Sequence, residues 1–164
     1  MSLIQKIKLL KQVAATTFEK DGYFFKKSKL KQYVANYLRT LPTAGSDLEA
    51  LRLESEMVLR AIEAEHGLLV ERGQDIYSFS QTALQAHLTA RHITSNSNPK
   101  ALDKNLAQLA THVNEPRWHQ VLVCTASLLE NATPLLQLMQ QQSNKLVADP
   151  KLQQLLIWVH QKSL

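Results

Sequence analysis

The sequence predicts a mainly α-helical protein, with a winged helix of three helices plus a β-hairpin, followed by a small four-helix bundle. Three observations lead to this fold class. In residues 67–91, two short apolar strands precede a change of the apolar period from two to about 3.6. In residues 98–150, four prolines each follow a polar or acidic residue, which is typical of helix N-termini. The polar stretch 94–98 between them predicts a winged-helix domain at 1–94 and a helical bundle domain at 95–164.

Length and composition limit the class of protein. The chain has 164 residues, enough for one domain or two small ones, and 45% of them are hydrophobic, which is ordinary for a folded protein. The longest apolar runs fall far short of the roughly 18 residues that a membrane span needs, and the first residues lack the apolar core of a secretory signal. Cys124 is the single cysteine, so no internal disulfide forms, and we expect a cytoplasmic location and no membrane partner.

Three helices are predicted ahead of the hairpin. The first covers residues 4–20 and ends at Gly22, since glycine is common just after a helix. The second is predicted over Ser28–Leu41, with the serine hydroxyl as its N-cap. After a loop with two helix breakers, the third is predicted over Asp47–Glu65 and stops at Gly67. One side of the first helix is predicted to hold Ile7, Leu10, Ala14 and Phe18.

The hairpin follows the third helix directly. Leu68–Val70 and Ile76–Phe79 are short apolar runs that suit two strands. Gly73 in the turn between them is predicted to supply a positive φ angle. After the second strand the helical period begins, and the order helix, helix, helix, hairpin is that of a winged helix. The apolar side of the helix after the hairpin is predicted to hold Leu84, Leu88 and Ile93.

Four X-Pro pairs predict four amphipathic helices in the second half of the chain. In each pair the residue before proline is predicted to cap a helix, and the short loops between helices favour a compact bundle. Trp118 is predicted to fill the core of this bundle, while the alternative is that Arg117 and Trp118 form a partner-binding surface. The pairs are Asn98–Pro99, Glu115–Pro116, Thr133–Pro134 and Asp149–Pro150. The apolar side of the last helix is predicted to hold Leu152, Leu155, Leu156 and Val159.

The net charge of +5 is unevenly distributed. Residues 1–40 carry nine Lys or Arg and two acidic residues, whereas residues 41–65 carry two and six. One interpretation of the basic first quarter is a patch for nucleic acid or an acidic partner. The other is a solvated helix face, or a surface that meets another domain. The second interpretation is favoured, because the lysines come without interleaved arginines.

The stretch Gly67–Arg91 resembles a known family. Its residues GLLVERGQDIYSFSQTALQAHLTAR are similar to the end of the winged-helix domain in NACHT-type STAND ATPases, the bacterial relatives of NOD-like receptors. The family pattern there is roughly Tyr-Ser-Phe-x-His-x-x-x-Gln-Glu-Tyr/Phe-x-x-Ala. Gln81 stands at the position of the family's His, and Ala86 stands at the position of its Glu. The residues that match are Tyr77, Ser78, Phe79, Gln85 and Ala90.

The resemblance covers about residues 10–160 and implies a nucleotide-proximal role for Gln81. In the family, the His at this position approaches the β-phosphate of bound ADP and holds the winged helix on the nucleotide domain. Gln81 keeps an amide donor, but a neutral donor bonds a phosphate less strongly than an imidazolium does. The alternative is that Gln81 caps the helix after the hairpin. Ala86 cannot make any ion pair that the family's Glu makes.

No catalytic, cofactor or metal site is predicted. None of the four glycines belongs to a G-x-x-x-x-G-K-[ST] loop, so the chain lacks the phosphate cradle of an ATPase. His87 and His92 are five residues apart, which is not the i, i+4 spacing of a helical zinc site. We therefore expect no enzyme activity, no cofactor and no bound metal.

Three functions are consistent with these features. The leading one, implied by the resemblance, is a non-catalytic regulatory and coupling module of a NACHT-like signal-transduction ATPase. Its partner would be the nucleotide-binding domain of the parent protein or another signalling protein. The alternative is a winged-helix DNA-binding protein, which is disfavoured because the third helix holds five Glu against Arg52 and Arg60. The third is a structural interaction domain left after loss of the ATPase part. The oligomeric state stays open.

Overall fold

The computed structural model describes residues 2–20, 22–41, 48–96 and 98–162. By its internal contacts the chain divides into two compact units, Met1–His92 and Ile93–Leu164. The predicted fold class, mainly α-helical with a winged helix followed by four helices, is confirmed. Among the described residues, no helix is both long and apolar enough to cross a membrane.

The first unit has the element order of a winged helix. Three helices precede a β-hairpin, a fourth helix follows it, and one further short strand lies between the first two helices. The elements are α1 (Leu3–Lys20), β1 (Phe25–Lys26), α2 (Lys27–Leu38), α3 (Leu48–His66), β2 (Leu69–Gly73), β3 (Ile76–Phe79) and α4 (Thr82–Thr94).

The core of this unit lies between the three helices and one face of the sheet. Ile7 departs from the predicted inner side of α1, because it is 40% exposed while the rest of that side is buried. The buried apolar cluster contains Leu9, Leu10, Val13, Ala14, Phe25, Leu30, Val34, Tyr37, Leu38, Leu51, Leu59, Ile62, Leu69, Tyr77 and Phe79.

In the first unit the two glycines predicted to end helices do so, whereas the serine predicted to cap a helix does not. Gly22 and Gly67 have positive φ angles of 81° and 56°, as expected of glycine just after a helix. Ser28 does not cap α2, because the helix already begins at Lys27. The backbone N–H of Lys27 donates to the carbonyl of Asp75 at 2.8 Å, so the chain passes from β1 into α2 while still bonded to the hairpin. The predicted loop at 42–46 and the predicted helix start at Asp47 lie outside the described residues.

The wing is a three-stranded antiparallel sheet rather than an isolated hairpin, with strand order β1-β3-β2. Phe25 pairs with Tyr77, which brings the aromatic connection after α1 into the sheet. The prediction of a positive φ at Gly73 is wrong. An irregularity between Glu71 and Gly73 extends β2 through this glycine, and Asp75 takes the positive φ of 60° instead. Aspartate tolerates that conformation better than most residues.

Helix α4 is fixed on α1 by a buried amide. Gln85 is 1% exposed, and its Nε2 donates to Thr17 Oγ1 and to the carbonyl of Gly22, both at 3.0 Å. The predicted apolar side of α4 is only partly right, because Leu84 and Leu88 are partly buried against the core. The fully buried residues of α4 are small or polar: Gln85, Ala86, Thr89 and Ala90.

In its described residues, the second unit has four α-helices and one short 3-10 helix at Pro116–Trp118. Trp118 is 6% exposed, which confirms its predicted place in the core. The helices are α5 (Pro99–Ala110), α6 (His119–Leu128), α7 (Thr133–Val147) and α8 (Pro150–Lys162). The other buried side chains of this unit are Leu106, Leu109, Ala110, Val121, Leu122, Thr125 and Leu135.

Two of the four predicted caps are present. Asn98 Oδ1 accepts from the N–H of Lys100 at 3.1 Å, and Asp149 Oδ1 accepts from the N–H of Lys151 at 2.8 Å. Thr133 is instead the first residue of α7, and Asn131 Oδ1 accepts its N–H at 3.0 Å. Glu115 makes no capping bond from its side chain.

Helix α8 contributes no buried residue to the second unit. The predicted inner positions Leu155, Leu156 and Val159 are about half exposed, at 53%, 48% and 48%. The neighbouring Trp158 is 57% exposed as well. The prediction that α8 buries an apolar side is therefore wrong, and the buried residues of this unit come from α5, α6, α7 and the 3-10 helix.

Candidate functional site

Gln81 lies on the surface in the bend between β3 and α4. Its carbonyl accepts the N–H groups of Leu84 at 3.2 Å and of Gln85 at 3.3 Å, as the residue ahead of a helix does. The helix-start role that the sequence offered as an alternative is thus present in the backbone. The side chain also stands at the positive end of the α4 dipole, a suitable place to meet an anion. A contact between Gln81 and nucleotide stays a prediction.

A depression of about 280 Å³ adjoins this bend. Its rim includes Phe24, which is 64% exposed and lies in the connection after α1. Arg72 of the wing is fixed at the same depression, because its Nε donates to Ser78 Oγ at 3.0 Å and a terminal nitrogen donates to the carbonyl of Ser80 at 3.1 Å. The lining residues are Tyr23, Phe24, Arg72, Ser78, Phe79, Ser80, Thr82 and Gln85.

This arrangement suits docking of another protein surface more than catalysis. An exposed aromatic ring beside a mainly apolar depression and an anchored guanidinium is typical of protein interfaces. At this depression the sequence had pointed only to the neighbouring Gln81, and Phe24 and Arg72 were not predicted. The sequence did not distinguish Phe24 from its neighbours in the aromatic run Tyr23–Phe25, although Phe24 is exposed and Phe25 is only 3% exposed.

Ala86, where the resembled family has Glu, is 2% exposed. It follows directly after Gln85, whose side chain bonds to α1, so the two positions belong to the buried part of α4. A methyl group fits such a position without any polar partner, whereas a carboxylate would need a cation or hydrogen-bond donors. This chain therefore uses the position for packing.

Arg117 and Trp118 form a compact aromatic and cationic cluster in the second unit. The Trp118 ring stacks on His112 with ring centroids 4.2 Å apart and an interplanar angle of 11°. The Arg117 guanidinium lies 5.8 Å from the centre of the same ring. His112 Nδ1 is 2.7 Å from Glu115 Oε1, which orients the imidazole. Since Trp118 is buried, only Arg117 at its edge remains a candidate for partner contact.

The exposed side of α3 is unsuited to reading DNA bases. Leu53 and Met57 are 63% and 71% exposed on this helix, which in a DNA-binding winged helix would enter the major groove. Glu56 bonds Lys31 at 3.0 Å and Arg60 at 3.3 Å. The hydrogen bond and charge of Lys31 hold the pKa of the Glu56 carboxyl below its usual value, so this carboxylate stays ionised on the helix. Apolar and acidic groups would meet the bases and phosphates.

No metal site emerges from the part of the chain that the structure describes. Within it, no three His, Cys, Asp or Glu side chains come together as ligands for a metal ion. His87 and His92, the pair considered from the sequence, both lie on α4.

The architecture and the comparison with known proteins agree on the class. Three helices, an antiparallel wing and a helix that returns onto α1 define a winged helix-turn-helix domain. Residues 4–93 match the model of a family described as winged helix-turn-helix domain C-terminal to NACHT. The match covers more than half of the chain, and the chain belongs to this family. No curated protein and no solved structure matches it.

Proposed function

We propose that this chain is a non-catalytic regulatory and coupling module of a NACHT-like signal-transduction ATPase. Its winged helix packs on the nucleotide-binding domain of the same protein, and its second unit connects to a sensor or effector region. The observation that supports this most directly is membership of a family whose domains follow a NACHT domain in the chain. The proposal includes a cytoplasmic location, as for other signalling ATPases of this kind.

The surface around Gln81 is the proposed contact with the nucleotide domain. Gln81 is exposed at the start of α4, where backbone N–H groups and the helix dipole favour an anion such as a phosphate. The depression that adjoins this bend offers the Phe24 ring as an apolar anchor and Arg72 as a fixed cation. Together these groups suit a surface that closes over a bound nucleotide held by the neighbouring domain.

The chemistry of hydrolysis belongs to the neighbouring domain in this proposal. The chain has no glycine-rich loop followed by Lys and Ser or Thr, and so no cradle of N–H groups for a triphosphate. Gln81 donates a neutral amide hydrogen bond, which contributes on the order of 1 kcal/mol, less than a charged donor would. The module therefore biases a conformational equilibrium and carries out no reaction of its own.

Three measurements on the purified proteins test the proposal: nucleotide binding, phosphate release and association with the NACHT domain. Calorimetry with ADP and ATP is expected to show no binding to this chain alone, and phosphate release is expected to show no turnover. When the NACHT domain of the same protein is added with ADP, the two parts are expected to associate.

A Phe24→Ser variant should weaken that association at least tenfold, because the exposed ring is lost from the contact. As a control, Leu53→Ser on α3 should leave the association unchanged. Micromolar ADP affinity of the chain alone, or equal association of both variants, would contradict the proposal.

A further inference from the structure

The first two turns of α1 carry an apolar stripe that the core does not cover. Leu3, Ile4 and Ile7 are 65%, 67% and 40% exposed. Ala14 and Phe18 lie farther along the same side of the helix, seven and eleven residues beyond Ile7, and both are 0% exposed. One continuous apolar side of α1 is thus buried in its second half and open to solvent in its first half.

Two observations place α4 near the second half of α1. The bond from Gln85 to Thr17 places the beginning of α4 beside the last turn of α1. Farther along, Arg91 lies close enough to Lys11 to lower the pKa of that lysine, after the larger effect of burial and together with Lys8. Helix α4 therefore begins beside the last turn of α1 and brings Arg91 near Lys11. Leu3, Ile4 and Ile7 precede both of these positions on α1.

Positive charge borders the uncovered stripe. Lys8 and Lys11 follow Leu3, Ile4 and Ile7 at spacings that place all five residues on one side of the helix. Arg91 adds a third cation from α4. No Asp or Glu occurs in residues 1–18 or anywhere in α4, so the charged side chains that these two stretches contribute are basic. The surface is apolar along its middle and cationic along one edge.

We propose that this surface, formed by Leu3, Ile4, Ile7, Lys8, Lys11 and Arg91, docks an acidic amphipathic helix of a partner protein. The partner's apolar side would cover the stripe, and its flanking carboxylates would meet the three cations. An amphipathic helix presents apolar side chains at i, i+3 and i+4 spacing to its partner, and Ile7 stands four residues after Leu3 and three after Ile4. The surface is separate from the bend at Gln81, so this proposal does not depend on the nucleotide-domain contact.

The charge of this surface favours an acidic helix over two other occupants, a second copy of this chain and a membrane. A second copy paired through the same surface would bring the three cations of each copy together, which costs free energy. A membrane surface would satisfy the cations, but three apolar side chains over two turns bury little area in a lipid interface. An acidic helix covers both the stripe and its charged edge.

The test uses the whole chain and two synthetic helices as probes. One fluorescein-labelled peptide of about 18 residues carries Leu on one side with Glu at the flanks in an Ala background, and the other carries Lys in place of Glu. Fluorescence anisotropy is expected to show that the Glu peptide binds the chain and the Lys peptide does not. The affinity for the Glu peptide should fall as the salt concentration is raised. The double variant Ile4→Ser with Ile7→Ser, and separately Lys8→Glu, should each raise the Kd of the Glu peptide about tenfold or more.

Matched variants keep the test specific. Leu53→Ser with Met57→Ser removes another exposed apolar pair, on α3, and Lys20→Glu reverses another exposed lysine of α1. Both are expected to bind the Glu peptide like the original chain, and circular dichroism should show the same helix content for every variant. Equal binding of the Glu and Lys peptides, or equal loss in the matched variants, overturns the proposal. So does binding to phosphatidylglycerol vesicles without binding of the Glu peptide, or self-association in the ultracentrifuge that Ile4→Ser with Ile7→Ser abolishes.

Discussion

At the scale of single residues, Gln85 connects two helices that are far apart in the sequence. Its amide donates to Thr17 on α1 and to the carbonyl of Gly22 at the end of that helix. Gln85→Ala would leave that carbonyl without its donor and open a cavity, so we expect a loss of roughly 2–4 kcal/mol in unfolding free energy. Urea unfolding measures it. The exposed Gln81→Ala serves as control and should change stability by less than about 0.5 kcal/mol. Equal stability of both variants would mean that the buried amide contributes nothing.

Gln81 is the residue at which the proposed nucleotide contact is tested most directly. In the parent protein that carries the nucleotide domain, Gln81→His replaces a neutral donor with a partly charged one next to a phosphate. We expect ADP to bind about fivefold more tightly, on the order of 1 kcal/mol, and nucleotide exchange to slow accordingly. Stopped-flow release of fluorescent ADP measures the rate. Gln74→His, an exposed position in the turn of the wing, should leave the rate unchanged. Equal release rates for Gln81→His and the original protein would remove Gln81 from the site.

The ionisation of Tyr77 makes the stability of the winged helix depend on pH above about pH 9. Burial raises the pKa of its hydroxyl to about 12, and the charges of Glu63 and Glu71 add to the effect. The hydroxyl lies 3.2 Å from Glu63 Oε2 and donates to it. The folded chain therefore keeps the proton that the unfolded chain releases near pH 10, so this stabilisation is complete below about pH 10 and is lost as pH rises toward about 12.

Comparison with Tyr77→Phe isolates this contribution. The difference in unfolding free energy between the original chain and the variant should shift in favour of the variant between about pH 9 and about pH 11. Urea unfolding at both pH values measures it. A difference that stays constant over this range would show that the hydroxyl titrates alike in the folded and unfolded chains.

At the scale of elements, the features governed by neighbouring residues were predicted well. Gly22 and Gly67 end their helices at positive φ, and the second strand of the hairpin has the predicted bounds, Ile76–Phe79. Asn98 and Asp149 cap their helices as predicted. These features depend on a few adjacent side chains, and so a single sequence contains the information for them.

The features that the sequence did not reveal depend on residues far apart in the chain. Strand β1 exists because Phe25 pairs with Tyr77, more than fifty positions later. Ile7 has the period of a buried residue and is nevertheless 40% exposed, because burial also requires that an element distant in the sequence covers it. The same holds for α8, whose apolar residues follow a helical period and yet remain exposed. At the candidate site, Gln81 was identified through a family resemblance, whereas the depression beside it arises from three separate segments.

The linker between the two halves gives a prediction at this scale. Ser95, Asn96 and Asn98 are exposed, and the sequence of residues 94–98 contains no apolar residue that could anchor it. Limited proteolysis with a protease of broad specificity is expected to cut within residues 94–98 before it cuts α5 or α6. Mass spectrometry of the first fragments identifies the site. First cuts inside α5 or α6 would place the boundary elsewhere.

At the scale of the whole molecule, the net charge of +5 suggests weak affinity for polyanions. The positive charge is concentrated in residues 1–40 and the acidic residues in 41–65, which argues against recognition of a DNA sequence by α3. Nucleic-acid binding should be weak, indifferent to the DNA sequence and lost near physiological salt, because the basic residues of α1 and α2 that could contact phosphates are all lysines. Titration of duplex DNA at two salt concentrations measures this. Arg52→Gln on α3 should have no larger effect than Lys29→Gln on α2. Sequence-selective binding that depends on Arg52 would favour the DNA-binding alternative.

The molecule contains two tryptophans, and their surroundings differ sharply. Trp118 is 6% exposed and stacked on His112, whereas Trp158 on α8 is 57% exposed. Their fluorescence should therefore consist of a blue-shifted component shielded from acrylamide and a red-shifted component that acrylamide quenches. Both rings belong to the second unit, whereas α1 belongs to the first, so a labelled peptide is the direct probe of docking on α1. A partner that covers α8 should change the emission of Trp158.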